Sequence, residues 1–151
     1  MANPKDINIR NKKASFDYEL IEEVVVGISL LGSEIKSIRQ GNASIKESHC
    51  FIQDGEMWII GMHITEYKQA GGRGHDPLRK RKLLLTKKQI RKWDKELKIQ
   101  GNTVVPVSLF INKKGLCKLK VALAKGKRKF DKREDIKKKD MKRDVDREIK
   151  G

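Results

Sequence analysis

The chain has 151 residues, enough for one domain and an appendage, with a formal net charge of +16 and an isoelectric point near 9.9, a balance that points to a polyanionic partner. The only two cysteines, Cys50 and Cys117, lie in apolar stretches without CxxC spacing; this argues against a disulfide framework and predicts reduced core thiols in a cytosolic protein. No apolar run approaches the roughly 20 residues of a membrane span, and the opening residues hold no apolar signal core.

Residues 1–13 are polar and predict a flexible basic arm leading into the first strand. From Phe16 to Leu31 the even positions carry Phe16, Tyr18, Leu20, Val24, Val26, Ile28 and Leu30, and the odd ones include Asp17, Glu19, Glu23, Gly27 and Ser29. Period two predicts a strand with one buried face. Glu22 interrupts the row and predicts a bend or hairpin turn near Glu22-Glu23. The acids of this stretch read as a solvated face. Ser33 is placed to cap a short helix over residues 34–40, with Glu34 near its positive end, Ile35 and Ile38 on one face and Gly41 after it.

Residues 49–64 read as a hairpin, because Asp54-Gly55 suits a tight turn with positive φ at both positions. Trp58 and His63 are expected in or at the edge of the core. Residues 65–82 read as a long loop, glycine-rich at its centre and ending in Arg79-Lys80-Arg81-Lys82. It lacks the lysine and hydroxyl residue of a phosphate-binding P-loop. Thr86-Lys87-Lys88-Gln89 is a capping box that opens a helix with Ile90, Trp93 and Leu97 on one face, and Gly101 follows it. The opposite face, Lys88, Arg91, Lys92 and Lys95, reads equally well as solvated or as phosphate-binding.

Residues 103–111 predict a strand that Pro106 makes an edge or a bulged one. After a turn at residues 112–115, Cys117, Leu119, Val121 and Leu123 alternate with Lys118, Lys120 and Ala122. About six strands and two short helices, with strands in runs, predict a mainly β domain over residues 14–124. A small closed β-barrel of the oligonucleotide-binding type is the expected architecture, since closure removes sheet edges.

The charge is uneven: net −2 over residues 1–72, +8 over 73–98, +4 over 99–124 and +6 over 125–151. Residues 125–151 offer only Phe130, Ile136, Met141, Val145 and Ile149 for burial. That is too little apolar surface to offset the entropy of ordering, so a basic tail is expected, disordered when free and folding on a polyanion. A merely solubilising tail is the alternative. Phe130 inside the basic cluster favours nucleic acid, since it can stack on a base while neighbouring cations hold phosphates. No GxSxG, HExxH or paired Cys/His spacing is present, so no enzyme, metal or cofactor is expected.

Four stretches together resemble the SmpB family of bacterial SsrA-binding proteins. They are Asn11-Lys12-Lys13-Ala14, residues 32–41 (GSEIKSIRQG), residues 75–85 (HDPLRKRKLLL), and the junction Leu123-Ala124-Lys125-Gly126-Lys127 with Asp131-Lys132-Arg133. The resemblance implies a non-enzymatic adaptor of trans-translation. It would bind the tRNA-like domain of tmRNA (SsrA RNA) and, with EF-Tu and GTP, bring its alanyl form to stalled ribosomes. Alanyl-tRNA synthetase would be linked only through tmRNA. The tail would enter the small-subunit decoding centre and the empty mRNA channel as a helix. The expected molecule is a cytoplasmic monomer with no membrane partner.

The residues expected to contact tmRNA are Asn11, Lys12, Lys13, Glu34, Lys36, Arg39, Arg79, Arg81, Lys82, Lys118 and Lys120. Those expected on the ribosome are Lys125, Gly126, Lys127, Arg128, Phe130, Asp131, Lys132 and Arg133. For Glu34, Lys36 and Arg39 a second reading stays open: they cap and solvate the short helix, and alanine costs about 1 kcal/mol or less at each. Val25 stands where many relatives carry a Glu tied to tmRNA binding, so that contact is not implied. Phe130 stands where relatives vary between His and other aromatics, and Met141 where many have Trp. The rivals are a ribosomal protein bound permanently to rRNA and an RNA-processing enzyme; the missing catalytic constellation argues against the second.

Overall fold

The computed structural model describes residues 7–67 and 74–126. In chain order these form β1 (Asn8–Arg10), α1 (Lys12–Asp17), β2 (Tyr18–Ile28), α2 (Gly32–Arg39), β3 (Ala43–Ser44) and β4 (His49–Gln53). There follow β5 (Glu56–Ile60), β6 (His63–Ile64), β7 (Arg81–Leu84), α3 (Lys87–Leu97), β8 (Asn102–Ile111) and β9 (Cys117–Gly126). The strands pair antiparallel in the order β8-β4-β5-β7-β2-β9, and β9 pairs back onto β8. The result is a closed ring of strands. β1 adds to β8 outside the ring, and β3 with β6 makes a separate two-stranded sheet.

Alternation builds the inside of the ring. Val26 and Ile28 of β2, Met57 and Ile59 of β5, Leu83 of β7, Val104 and Leu109 of β8, and Leu119 and Val121 of β9 are buried in one cluster. Burying each such side chain stabilises the fold by about 1.5–3 kcal/mol. The Asp54-Gly55 turn joins β4 to β5 with φ of 53° and 75°, as its sequence predicts. Thr86 Oγ1 accepts from Gln89 N at 3.2 Å and Gln89 Oε1 accepts from Thr86 N at 3.2 Å, which completes the predicted capping box. α3 buries Ile90 and Trp93.

The structure differs from several local expectations. β2 runs through Glu22 without turning back; the irregularity is a register shift between Leu20 and Glu22. Glu22 accepts from Trp93 Nε1 at 3.3 Å and from Lys92 Nζ at 3.1 Å. The carboxylate interrupts the apolar row because it serves the indole of α3. Hydrogen bonds from Lys92 and then Trp93 hold its pKa below the ordinary value.

β1 and α1 occupy the stretch read as a flexible arm and the start of the first strand. The cause is a long-range tether. Asn11 donates from its backbone N to Val107 O at 2.8 Å and from Nδ2 to Pro106 O at 3.0 Å. Both carbonyls lie where the β8 register shifts, between Pro106 and Ser108. Pro106 therefore marks a bulge, not an edge, since β8 has partners on both sides. Ala14 of α1 packs with Val105 and Ala124 in a second small cluster, flanked by Tyr18 and Leu20. β9 also continues two residues past the expected boundary: Lys125 pairs with Glu19, and Gly126 with Tyr18. His63 is exposed, not at the core.

Gly61 has φ of 78°, and a Cβ there would run into the carbonyl of Glu47. Gly115 has φ of 80° with open space around it. Gly115→Ala is expected to cost about 1–2 kcal/mol, the left-handed penalty alone, and Gly61→Ala clearly more. Urea denaturation of both variants checks this; equal costs would show that the Glu47 backbone yields.

Candidate nucleic-acid interface

The charged residues divide into those that hold the fold and those that face outward. Glu34 and Arg81 belong to the first group, both fully buried. Glu34 sits at the third position of α2 and accepts from Leu31 N at 2.7 Å, closing the helix start. Its carboxylate also accepts from Arg79 Nη2 at 2.5 Å and from Arg81 Nε at 2.5 Å. Arg81 donates further to the carbonyls of Met62 at 2.8 Å and Pro77 at 3.2 Å. Burial works to raise the Glu34 pKa, but hydrogen bonds from Arg79, Leu31 N and Arg81 hold it below the ordinary value. Glu34 thus caps α2 as the second reading expects, but from a fully buried position and not a solvated one, which leaves none of its surface open to an RNA contact. Arg81, read as a loop cation, is the first residue of β7 and an internal partner.

Two neighbours complete this node. Ser33 does not cap α2; its hydroxyl bonds His75 Nδ1 at 2.9 Å. His75 Nε2 lies 2.9 Å from Ile64 O, and since a carbonyl only accepts, Nε2 carries the proton. The segment after the glycine-rich stretch is thus pinned to α2 and β6 by His75, Arg79 and Arg81. Asn11 is likewise buried and spent on the β8 bulge.

The outward cations lie on the outer face of the ring. Register puts Arg10, Ser108, Lys120 and Val25 in one row across β1, β8, β9 and β2. The adjacent row runs Asn8, Phe110, Lys118, Gly27 and Leu84 across β1, β8, β9, β2 and β7. Strands lie about 4.8 Å apart, so Arg10 and Lys120, two strands apart in this row, stand about 10 Å from each other along the backbone. Val25 and Leu84 are 51% and 54% exposed on the same face. Lys120 has Glu23 at 3.8 Å, a loose half-exposed pair that little restrains it. This arrangement suits a phosphate backbone held by three cations, with apolar surface for sugars or bases.

The other expected contacts lie on several elements. Lys12 is exposed on α1, beside the first row, and Lys13 pairs with Glu47 at 3.4 Å. Lys36 and Arg39 are exposed on α2, Lys36 lying 5.6 Å from the Tyr67 ring centre. Lys82 is half-buried on β7 and pairs with Glu56 at 2.7 Å. Lys125 and Gly126 end β9, exposed. Lys127, Arg128, Phe130, Asp131, Lys132 and Arg133 lie outside the described residues. Sequence reasoning missed Arg10, Leu84 and Phe110; only the strand register, not composition, brings them beside Lys118 and Lys120.

Among the described residues no group of His, Cys, Asp or Glu could hold a metal, and no helix is long and apolar enough to cross a membrane. Burial raises the pKa of the Cys50 thiol strongly and pushes that of Cys117 up to about 12, so both stay protonated at neutral pH. A closed strand ring with a cationic outer face is the form of a nucleic-acid-binding protein.

Comparison with known proteins specifies it. The family described as "SmpB protein" matches residues 8–151. The SsrA-binding protein of Phocaeicola vulgatus is 54% identical over 97% of this chain and 98% of its own length. That of Bacteroides thetaiotaomicron is 53% identical over 95% of this chain and 96% of its own. A solved structure described as "tmRNA-SmpB: a journey to the center of the bacterial ribosome" matches with a TM-score of 0.69 and 35% identity, covering 86% of this chain and 94% of that one. The chain belongs to the SmpB family.

Removing Glu34 leaves Arg81 buried without its counter-charge, so Glu34→Ala is expected to cost about 3–5 kcal/mol, not the 1 kcal/mol of a lost cap. The stability that the ionised carboxylate contributes is complete above the ordinary value of 4.5 and is lost as pH falls through the lowered folded value. Denaturation between pH 7 and pH 3 checks both statements, with Glu34→Gln expected to flatten the acid limb.

Proposed function

We propose that the chain is an RNA-binding adaptor of trans-translation: it binds the tRNA-like domain of tmRNA and helps deliver it to stalled ribosomes. The single observation that carries this is the outer-face arrangement of Arg10, Lys118 and Lys120 beside exposed Val25 and Leu84, in a chain of the SmpB family. Cations on a rigid sheet hold phosphates in fixed positions, while the apolar side chains provide contact area. Lys12, Lys36 and Arg39 extend the cationic surface. Asn11, Glu34 and Arg81 act indirectly, by holding β1, α2 and β7 in place.

In this reading the protein makes and breaks no covalent bond. EF-Tu and alanyl-tRNA synthetase act through tmRNA, and the chain works as a cytoplasmic monomer. The basic residues after Gly126 serve a second role. They enter the small-subunit decoding centre and the empty mRNA channel as a helix, with Lys127, Arg128, Lys132 and Arg133 on phosphates and Phe130 stacked. About 20 residues of helix span roughly 30 Å, enough to thread a narrow channel.

Capture of the full chain from cells followed by RNA sequencing tests the partner. Enrichment of tmRNA over rRNA is expected, and stoichiometric rRNA would favour a permanent ribosomal protein. Affinity for the tRNA-like domain should fall steeply with salt, as phosphate contacts release counterions. Truncation after Lys129 is expected to leave that affinity nearly intact and to abolish peptide tagging on stalled ribosomes. Full tagging by the truncated chain would overturn the role given to the tail.

A further inference from the structure

A second feature of the outer face is not used by the cationic rows. Phe51 of β4 and Trp58 of β5 are direct cross-strand partners. Their neighbours Cys50, Met57 and Ile59 point into the core, so these two rings stand on the outside, half-buried. Lys82 of β7 continues the same row, opposite Trp58. Lys80 lies over both rings, with its Nζ 4.3 Å from the Trp58 centre and 5.8 Å from that of Phe51.

We infer that Phe51 and Trp58 form a stacking platform for an unpaired RNA base, with Lys80 and Lys82 holding the flanking phosphates. The inference rests on the RNA-binding role proposed above. Charge complementarity and position argue for this occupant. Lys80 is an exposed lysine, held near the rings by a weak cation–π contact and by Gln53 Oε1 at 3.4 Å. A base stacked on an indole gains more than an exposed ammonium does there. The base therefore displaces Lys80, and the ammonium moves to the phosphate that arrives with the base. Lys82 makes the corresponding exchange from Glu56, a half-exposed pair. Lys82 and Leu84 lie on the same face of β7, two residues apart, so the platform continues the cationic face around the ring. A strand of RNA lying along Lys118 and Leu84 reaches Trp58 without leaving the surface.

An aromatic pair across antiparallel strands also strengthens the sheet. That role alone leaves RNA affinity untouched, which makes affinity the deciding measurement. Full-length wild type, Trp58→Phe and Trp58→Val are titrated against a transcript of the tRNA-like domain and against vacant ribosomes. Trp58→Val should lose about tenfold or more on one of the two, and Trp58→Phe should retain most of the affinity. Loss on the transcript assigns the stacked base to tmRNA; loss on ribosomes assigns it to rRNA.

Unchanged affinity of Trp58→Val for both, while wild type binds the transcript, overturns the platform and leaves the adaptor reading standing. Failure of wild type to bind the transcript overturns that reading instead. Should Trp58→Val not fold, acrylamide quenching of wild-type tryptophan emission decides. Trp93 is buried, so the quenchable signal belongs to Trp58. Shielding by either RNA supports the platform, and unchanged quenching by both refutes it.

Discussion

The burial of one carboxylate between two guanidinium groups is the constraint on which the arrangement of this molecule depends. Glu34 closes the first turn of α2 through Leu31 N and binds Arg79 and Arg81 on the chain leading into β7. Arg81 then reaches the carbonyls of Met62 and Pro77. One charge cluster thereby ties a helix, the segment before β7 and the chain between β5 and β6. β7 is the strand between β5 and β2, so the ring closes through the element that this cluster seats. Ion pairs in the interior gain little net stability, because desolvation opposes the attraction. Their directional hydrogen bonds still favour one arrangement over others in which any partner is left bare.

The same division explains how a strongly basic chain folds without its charge pulling it apart. Several cations near acids are spent on structure: Arg79 and Arg81 on Glu34, and Lys92 on Glu22. Arg10, Lys118 and Lys120, on β1 and β9, stand on the outer face, with Glu23 at 3.8 Å from Lys120. The ring supplies rigidity: each outward lysine of β9 is fixed by an inward neighbour, Leu119 or Val121, that is fully buried. Side chains carried on such a scaffold keep their spacing, so little ordering entropy opposes binding of a partner there.

Much of this was legible in the sequence where the signal was local. The period of two in β2 and β9, the Asp54-Gly55 turn, the Thr86 capping box and the bulge at Pro106 each follow from chemistry within a few residues, and the structure contains them all. What escaped was settled by partners far along the chain. Glu34 and Arg79 are 45 positions apart, and nothing near either distinguishes a buried pair from two solvated charges. Asn11 reads as a polar arm residue, yet it is held by the carbonyls of Pro106, 95 positions away, and its neighbour Val107. The short pairing of β3 with β6 is too brief to show any period. The cationic face was half legible: Lys118 and Lys120 alternate visibly, whereas Arg10, Phe110 and Leu84 join them only through strand register.

The central claim is that tmRNA lies on the outer face defined by β1, β9, β2 and β7. Ultraviolet crosslinking of the full chain to a transcript of the tRNA-like domain, followed by mass spectrometry of the peptides, tests it most directly. The account predicts crosslinks on peptides containing Arg10, Leu84, Lys118 and Lys120. Crosslinks confined to the exposed face of α3, at Lys88, Arg91 and Lys95, with the ring face unmodified, would contradict it.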